Sequence, residues 1–145
     1  MKIYIASDHR GYELKKYLLK ELKSDYEIID LGCNSKESVD YPDYAFKLGK
    51  EVVNNKTFGI AICGSGIGIS IACNKVKGIR CAKVNSLKDV RMTRNDNDSN
   101  IIALYSEINQ ERALRLVKEF ITFKASNDER HVRRRNKIKE YESKN

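Results

Sequence analysis

The stretch Ile60-Ala-Ile-Cys-Gly-Ser-Gly-Ile-Gly-Ile-Ser-Ile-Ala-Cys-Asn-Lys75 sets an apolar strand, a cysteine, three glycines in five positions and an apolar helix-like run end to end. A strand that breaks at Gly64, Gly66 and Gly68 before a helix can bring bare backbone N–H groups, with the dipole of that helix, against an anion. The spacing excludes two common phosphate motifs. A dinucleotide fingerprint needs G-x-G-x-x-G, and here the third glycine comes one residue early, with Ile69 where the last should be. A Walker A loop needs a Lys-Ser/Thr pair, and none follows these glycines. What remains is a short anion nest with a thiol on its lip, or a plain tight turn between a strand and a helix.

Outward from this block, strand and helix signals alternate along the chain. Ile3–Ala6 is a short apolar run, after which Leu14, Leu18, Leu19 and Leu22 recur at helical spacing. Glu27–Leu31 is the next strand, closed by Gly32. Pro42 sits near a helix start, where its missing N–H costs little, and Ala45, Leu48 and Val52 follow on one face. Phe58–Cys63 is the third strand, and the helix after the glycines is expected to run to about Lys75. Ile79–Val84 gives a fourth strand, Ser86-x-x-Asp89 reads as a helix cap, and Asn100–Leu104 gives a fifth strand. The next helix places Leu116, Val117, Phe120 and Ile121 on its buried face. Ser126-x-x-Glu129 reads as a capping box that opens a final basic helix ending near Glu142.

Five strands, each followed by a helix, predict an α/β fold: a five-stranded parallel sheet with helices on both faces. Ligands of such sheets bind at the carboxyl ends of the strands. Asp8 and His9, after the first strand, and Cys63 to Gly68, after the third, then share one edge. With no internal repeat and no Pro/Gly-rich linker, residues 1–145 read as a single domain. The final helix, 127–143, has only Val132, Ile138 and Tyr141 as sparse apolar positions, so it is expected to pack on a partner subunit rather than in the core.

Composition bounds the function. Hydrophobic residues at 41% and charged residues at 33% describe a core-forming chain with a well-charged surface. No apolar run approaches the ~20 residues of a membrane span, and Met1-Lys2-Ile3-Tyr4-Ile5 enters a strand with no cleavable segment, so a cytoplasmic protein is expected. Cysteines 33, 63, 73 and 81 show neither C-x-x-C pairs nor zinc-site histidine spacing. They read as reduced thiols, with no metal and no cofactor implied, and Cys33, Cys73 and Cys81 read as packing residues. The net charge of +8 is partly local: Arg130, Arg133, Arg134, Arg135, Lys137 and Lys139 cluster near the C-terminus. Such a cluster attracts phosphate, on nucleic acid or on a small metabolite, or is a solvated helix face. An unspecific polyanion binder would need neither the thiol nor the nest, which disfavours nucleic acid.

Three groups could carry chemistry. Asp8-His9-Arg10-Gly11 follows a strand at the ligand edge, as a structural turn or a site, and His is the side chain that changes charge near neutral pH. His131 lies between Arg130 and Arg134, which are four apart on a helix, a constellation suited to clamping a phosphate monoester. Cys63 is either a buried apolar cysteine or a thiol beside a helix start, where the thiolate is favoured and can serve as base or nucleophile. The polar run Arg94-Asn95-Asp96-Asn97-Asp98-Ser99-Asn100 reads as a loop.

Taken together, Asp8-His9-x-Gly11, Asp40-Tyr41-Pro42, Cys63-Gly64-Ser65-Gly66-Ile67-Gly68-Ile69-Ser70, Asn74-Lys75, Asn97-Asp98 and Arg130-His131-x-x-Arg134 resemble the type B ribose-5-phosphate isomerases. These share a superfamily with the subunits of galactose-6-phosphate isomerase. The resemblance runs in order over nearly the whole chain. It implies a three-layer Rossmann-like fold with an extended C-terminal helix. The partner it implies is a second copy of the chain, in a homodimer or dimer of dimers with active sites between subunits. The implied reaction is the metal-independent interconversion of ribose 5-phosphate and ribulose 5-phosphate, a step of the pentose phosphate pathway. By position, Cys63 would move a proton between C1 and C2. Backbone N–H groups of Gly64, Gly66, Ile67 and Gly68, with Ser65, would stabilise the enediolate. Asp8, His9 and Asn97 would bind the sugar, Tyr41 would line the pocket, and Arg130, His131 and Arg134 would hold the phosphate, in part from the other subunit.

Two positions depart from that pattern. The family's ring-opening histidine is replaced by Asp96, which is ionised at neutral pH and so a poor general acid. The family's arginine after the fifth strand is replaced by Glu107. Either another group such as His9 opens the ring, or the open-chain sugar is taken, or the chain serves another sugar phosphate such as galactose 6-phosphate or allose 6-phosphate, or it binds without catalysis.

Overall fold

The computed structural model describes residues 1–145. Its five strands are β1 (Lys2–Ser7), β2 (Glu27–Asp30), β3 (Gly59–Cys63), β4 (Cys81–Lys83) and β5 (Ile101–Tyr105), and its six helices are α1 (Tyr12–Leu22), α2 (Tyr41–Asn55), α3 (Ile67–Cys73), α4 (Leu87–Met92), α5 (Gln110–Thr122) and α6 (Glu129–Ser143). The sheet is parallel throughout, in the order β2-β1-β3-β5-β4. All five strands predicted from apolar runs are present, in three layers.

Side chains of a strand alternate between faces, and the register turns this alternation into two different surfaces. Ile5, Ile60 and Ile102 stand in one row across β1, β3 and β5 and pack with Leu14, Leu18, Leu116, Val117 and Phe120 of α1 and α5. Ala6, Ala61 and Ala103 form the next row, on the opposite face. Their small side chains let α2 and α3 approach closely through Ala45, Leu48, Ile69 and Cys73. The buried Lys15 ammonium reaches from α1 to Asp30 at 2.7 Å and ties the end of β2 to that helix.

The strand order makes a topological switch between β1 and β3. From β1 the chain passes through α1 toward β2, and from β3 through α3 toward β4, so the two connections leave on opposite faces and open a crevice at the carboxyl ends. Both motif blocks sit there.

Three expectations need correction. Arg94–Asn97 is an ordered π-helical turn (Thr93–Asn97) continuing α4, not a loop. Arg94 causes this: its guanidinium is buried between Phe58 and Phe120 and donates to Asp98, to the Ser99 carbonyl and to the Phe123 carbonyl. Helix α6 spans Glu129–Ser143 rather than 127–143, because Asp128 is its cap, accepting from the Arg130 N–H at 2.9 Å. Ser126 instead accepts from the Asp128 N–H, one step outside the helix. Helix α3 ends at Cys73, short of Lys75. No helix of the chain is long and apolar enough to cross a membrane.

Candidate active site

The crevice is assembled from the ends of β1 and β3. The Asp8 N–H donates to the Ile62 carbonyl, which locks the chain after β1 beside Cys63. The Asp8 carboxylate then accepts from the Arg10 and Gly11 N–H groups at 3.0 and 3.1 Å, capping a short 3₁₀ turn, His9–Gly11. Gly11 is required there because a β-carbon would meet the Ile62 side chain at 2.6 Å. His9 Nδ1 accepts from the Val39 N–H at 3.2 Å. The imidazole proton therefore sits on Nε2, which makes His9 a hydrogen-bond donor toward the crevice and not a base.

At the end of β3, the buried Cys63 sulfur accepts from the Gly66 N–H at 3.2 Å. The turn that permits this needs Gly66 at φ +77° with a backbone carbon of Leu104 only 3.1 Å from where a β-carbon would stand. The Ser106 N–H draws the Cys63 and Gly64 carbonyls to one side, at 3.0 and 3.2 Å, so the N–H groups of the block face the other way. Ser65 Oγ accepts from the Ile67 N–H at 3.1 Å, while the N–H groups of Ser65, Gly68 and Ile69 donate to nothing in the chain. The Tyr41 ring, at the start of α2, lies on Gly68 where any side chain would collide with it. A thiol facing a row of free N–H donors can take a proton from a carbon whose neighbouring oxygen then receives the charge.

The other cysteines differ. A hydrogen bond with the Cys81 thiol, and then burial, push the Cys73 thiol far up, so it stays neutral. Cys33 is likewise buried, beside Ser7 and the Ser35 carbonyl.

The remaining predicted residues lie at the opposite edge of the sheet. Gly59 of β3 is level with Ile101, so Asp96 and Asn97, which precede β5, stand at the amino ends of the strands. Four residues of strand, roughly 13 Å, separate that edge from Cys63. Arg80, ahead of β4, donates to the Asn97 carbonyl at 2.8 Å. His131 on α6 brings Nε2 to 3.4 Å from the Asp96 carboxylate, which Asn95 also contacts. Its Nδ1 is buried without a partner. Arg130 is exposed beside Asp128, and Arg134 is exposed with no ion pair. The structure thus brings Asp8, His9, Tyr41, Cys63, Gly64, Ser65, Gly66, Ile67 and Gly68 together, and gathers Asp96, Asn97, Arg130, His131 and Arg134 elsewhere.

Sequence reading missed Arg10 and Lys83 as crevice residues. The Arg10 guanidinium lies against Gly64 where a β-carbon would stand, and Lys83 lines the crevice beside Gly64 and Ser65. Arg10 stands within the Asp8-His9-Arg10-Gly11 block with no role assigned to it, and Lys83 carries no motif; the fold sets both against the nest.

Comparison with known proteins gives the family and the fold. Residues 3–138 match the family described as Ribose/Galactose Isomerase. The ribose-5-phosphate isomerase B of Mycobacterium leprae is 36% identical, over 98% of this chain and 90% of its own length. A solved structure of Clostridium thermocellum ribose-5-phosphate isomerase B is 44% identical with a TM-score of 0.94, covering 99% of each chain. That of the Mycoplasma genitalium ribose-5-phosphate isomerase B with bound ribulose-5-phosphate is 37% identical, with a TM-score of 0.92 over 99% of this chain and 97% of the other.

Proposed function

The chain belongs to the ribose/galactose isomerase family, and from that premise we propose that it interconverts ribose 5-phosphate and ribulose 5-phosphate, without a metal, through an enediolate. The observation that carries this reading is the buried Cys63 sulfur held by the Gly66 N–H beside unpaired backbone donors. As thiolate, Cys63 takes the C2 proton of the open-chain aldose. The C–H electrons form the C1–C2 double bond, and the carbonyl π pair moves onto the C1 oxygen. Free N–H groups of Ser65, Gly68 and Ile69, with the Ser65 hydroxyl, receive that charge. The same thiol returns the proton to C1, and the O2 hydroxyl proton moves to O1, leaving the ketose. Asp8 and the His9 Nε2–H bind sugar oxygens, and Tyr41 closes the side wall.

Ring opening and phosphate binding fall to Asp96, Asn97, Arg130, His131 and Arg134 of a second copy, since roughly 13 Å of strand keeps them from Cys63 of their own chain. Ile67, Ile71, Met92 and Ile138 are exposed apolar side chains for such a copy to cover. A homodimer with shared sites, acting in the cytoplasm, is the assembly this reading requires. His131 beside Asp96 supplies the imidazole that position 96 itself lacks.

The replaced residues at 96 and 107 favour one second reading, an isomerase of a hexose 6-phosphate. Turnover of the purified protein across pentose and hexose phosphates decides between them. The pentose reading expects the highest kcat/KM on ribose 5-phosphate. A preference for allose or galactose 6-phosphate would replace it, and no turnover on any of them would reject the isomerase assignment.

A further inference from the structure

On the side of the nest away from Asp8 and His9, the crevice continues into an open hollow of about 440 Å³ lined by Gly64, Ser65, Ile67, Lys83, Asn85 and Tyr105. The mechanism above uses its Ser65 but leaves Lys83, Asn85 and Tyr105 without a role. Lys83 ends β4, and its Cε would stand 3.3 Å from a β-carbon at Gly66, so the stem lies along the nest itself. The ammonium sits 5.6 Å from the centroid of the Tyr105 ring and donates to Asn85 Oδ1 at 3.2 Å. Asn85 is itself pinned: its N–H donates to Asp89 at 2.9 Å and its carbonyl accepts from Arg112. Lys83 takes part in none of the chain's ion pairs.

An ammonium held by an amide oxygen and an aromatic face, with no carboxylate against it, keeps its charge available for an anion entering the hollow. The position suits the tail of a sugar phosphate. Tyr105, over which the ammonium lies, is level with Cys63, and β4 stands two strands from β3, roughly 10 Å. A five-carbon chain with its reacting end at Cys63 can extend that far with a terminal phosphate. Glu107, exposed after β5, offers no cation here.

We propose that Lys83 is a specificity-determining residue that binds the phosphomonoester of the substrate within the chain's own crevice. This rests on the sugar-phosphate isomerase reading, and it adds a contact from the Cys63-bearing subunit to the arginines of its partner.

Lys83→Met keeps the aliphatic stem and removes the charge; Lys83→Gln serves the same purpose should the methionine variant fail to fold. Inorganic phosphate is titrated calorimetrically against the full chain, and KM and kcat are measured on ribose 5-phosphate. The proposal expects the affinity for inorganic phosphate to fall about tenfold and KM to rise about tenfold, the loss of one charge-assisted contact, with kcat within about twofold. Lys83→Arg is expected to recover most of both. A neutral variant that binds inorganic phosphate as the wild type does, or an arginine variant as weak as the neutral one, overturns it. Failure of the isomerase reading would show separately, as absent turnover in the wild type, and the phosphate titration would still decide the role of Lys83.

Discussion

At the scale of single residues, the site depends on where a few N–H groups point. Gly66 holds φ +77° against the Leu104 backbone, and its N–H is the one that reaches the Cys63 sulfur. Gly66→Ala is therefore expected to lower stability by about 1–2 kcal/mol, the cost of a left-handed residue with a β-carbon, and to lower kcat more than KM as the donor moves off the sulfur. Denaturant melts and steady-state kinetics check both; a variant with wild-type kcat would show that the donor is dispensable. Asp96 poses a second residue-scale question. Asp96→His is expected to speed conversion of ribose 5-phosphate, which must open its ring. It should leave proton exchange at C1 of ribulose 5-phosphate, an open-chain sugar, unchanged. An equal effect on both would argue against ring opening at this position. The cysteine and glycines of the site were legible because they form one contiguous block. Lys83 was not, since an isolated cation gains meaning only when strand register sets it beside the nest; Arg10 lies in a legible block, but its contact with Gly64 is visible only in the fold.

At the scale of elements, β1, β3 and β5 were legible because each is a short apolar run between polar turns, and burial on both faces demands that run. The edge strands β2 and β4 are only partly buried. Even three-residue β4 was found, although it is an edge strand. Its outer side is covered by the Asn74 side chain, which bonds both the N–H and the carbonyl of Cys81 at 2.8 and 2.9 Å. The polar run before β5 looks like a loop in the sequence because its organiser is itself polar: Arg94 is 6% exposed, and its partners lie as far along the chain as Phe123. Composition cannot distinguish an arginine that points outward from one that staples a turn. Arg94→Met should accordingly cost about 2–3 kcal/mol through the lost charged hydrogen bonds, more than a surface arginine would. Urea titration measures this, and a change under about 0.5 kcal/mol would place the turn's stability elsewhere. The cap of α6 was displaced by two residues for a related reason. Ser126 and Asp128 both carry capping oxygens, and only the fold shows Ser126 committed to Asp128.

At the scale of the whole molecule, the residues divide between the two edges of one sheet, and the proposed homodimer is what would bring them together. In a two-fold dimer each site takes Cys63 from one chain and Arg134 from the other. Mixing inactive Cys63→Ser and Arg134→Ala chains should then restore about a quarter of wild-type activity, one intact site in half of the dimers. Activity that stays at the level of the separate variants would place both residues of a site in one chain. The central claim, that Cys63 is the base, is tested most directly by solvent-deuterium exchange at C1 of ribulose 5-phosphate in the wild type and in Cys63→Ser. The thiol as base predicts that exchange disappears in the variant while inorganic phosphate binds with unchanged affinity. Exchange continuing at the wild-type rate would contradict it.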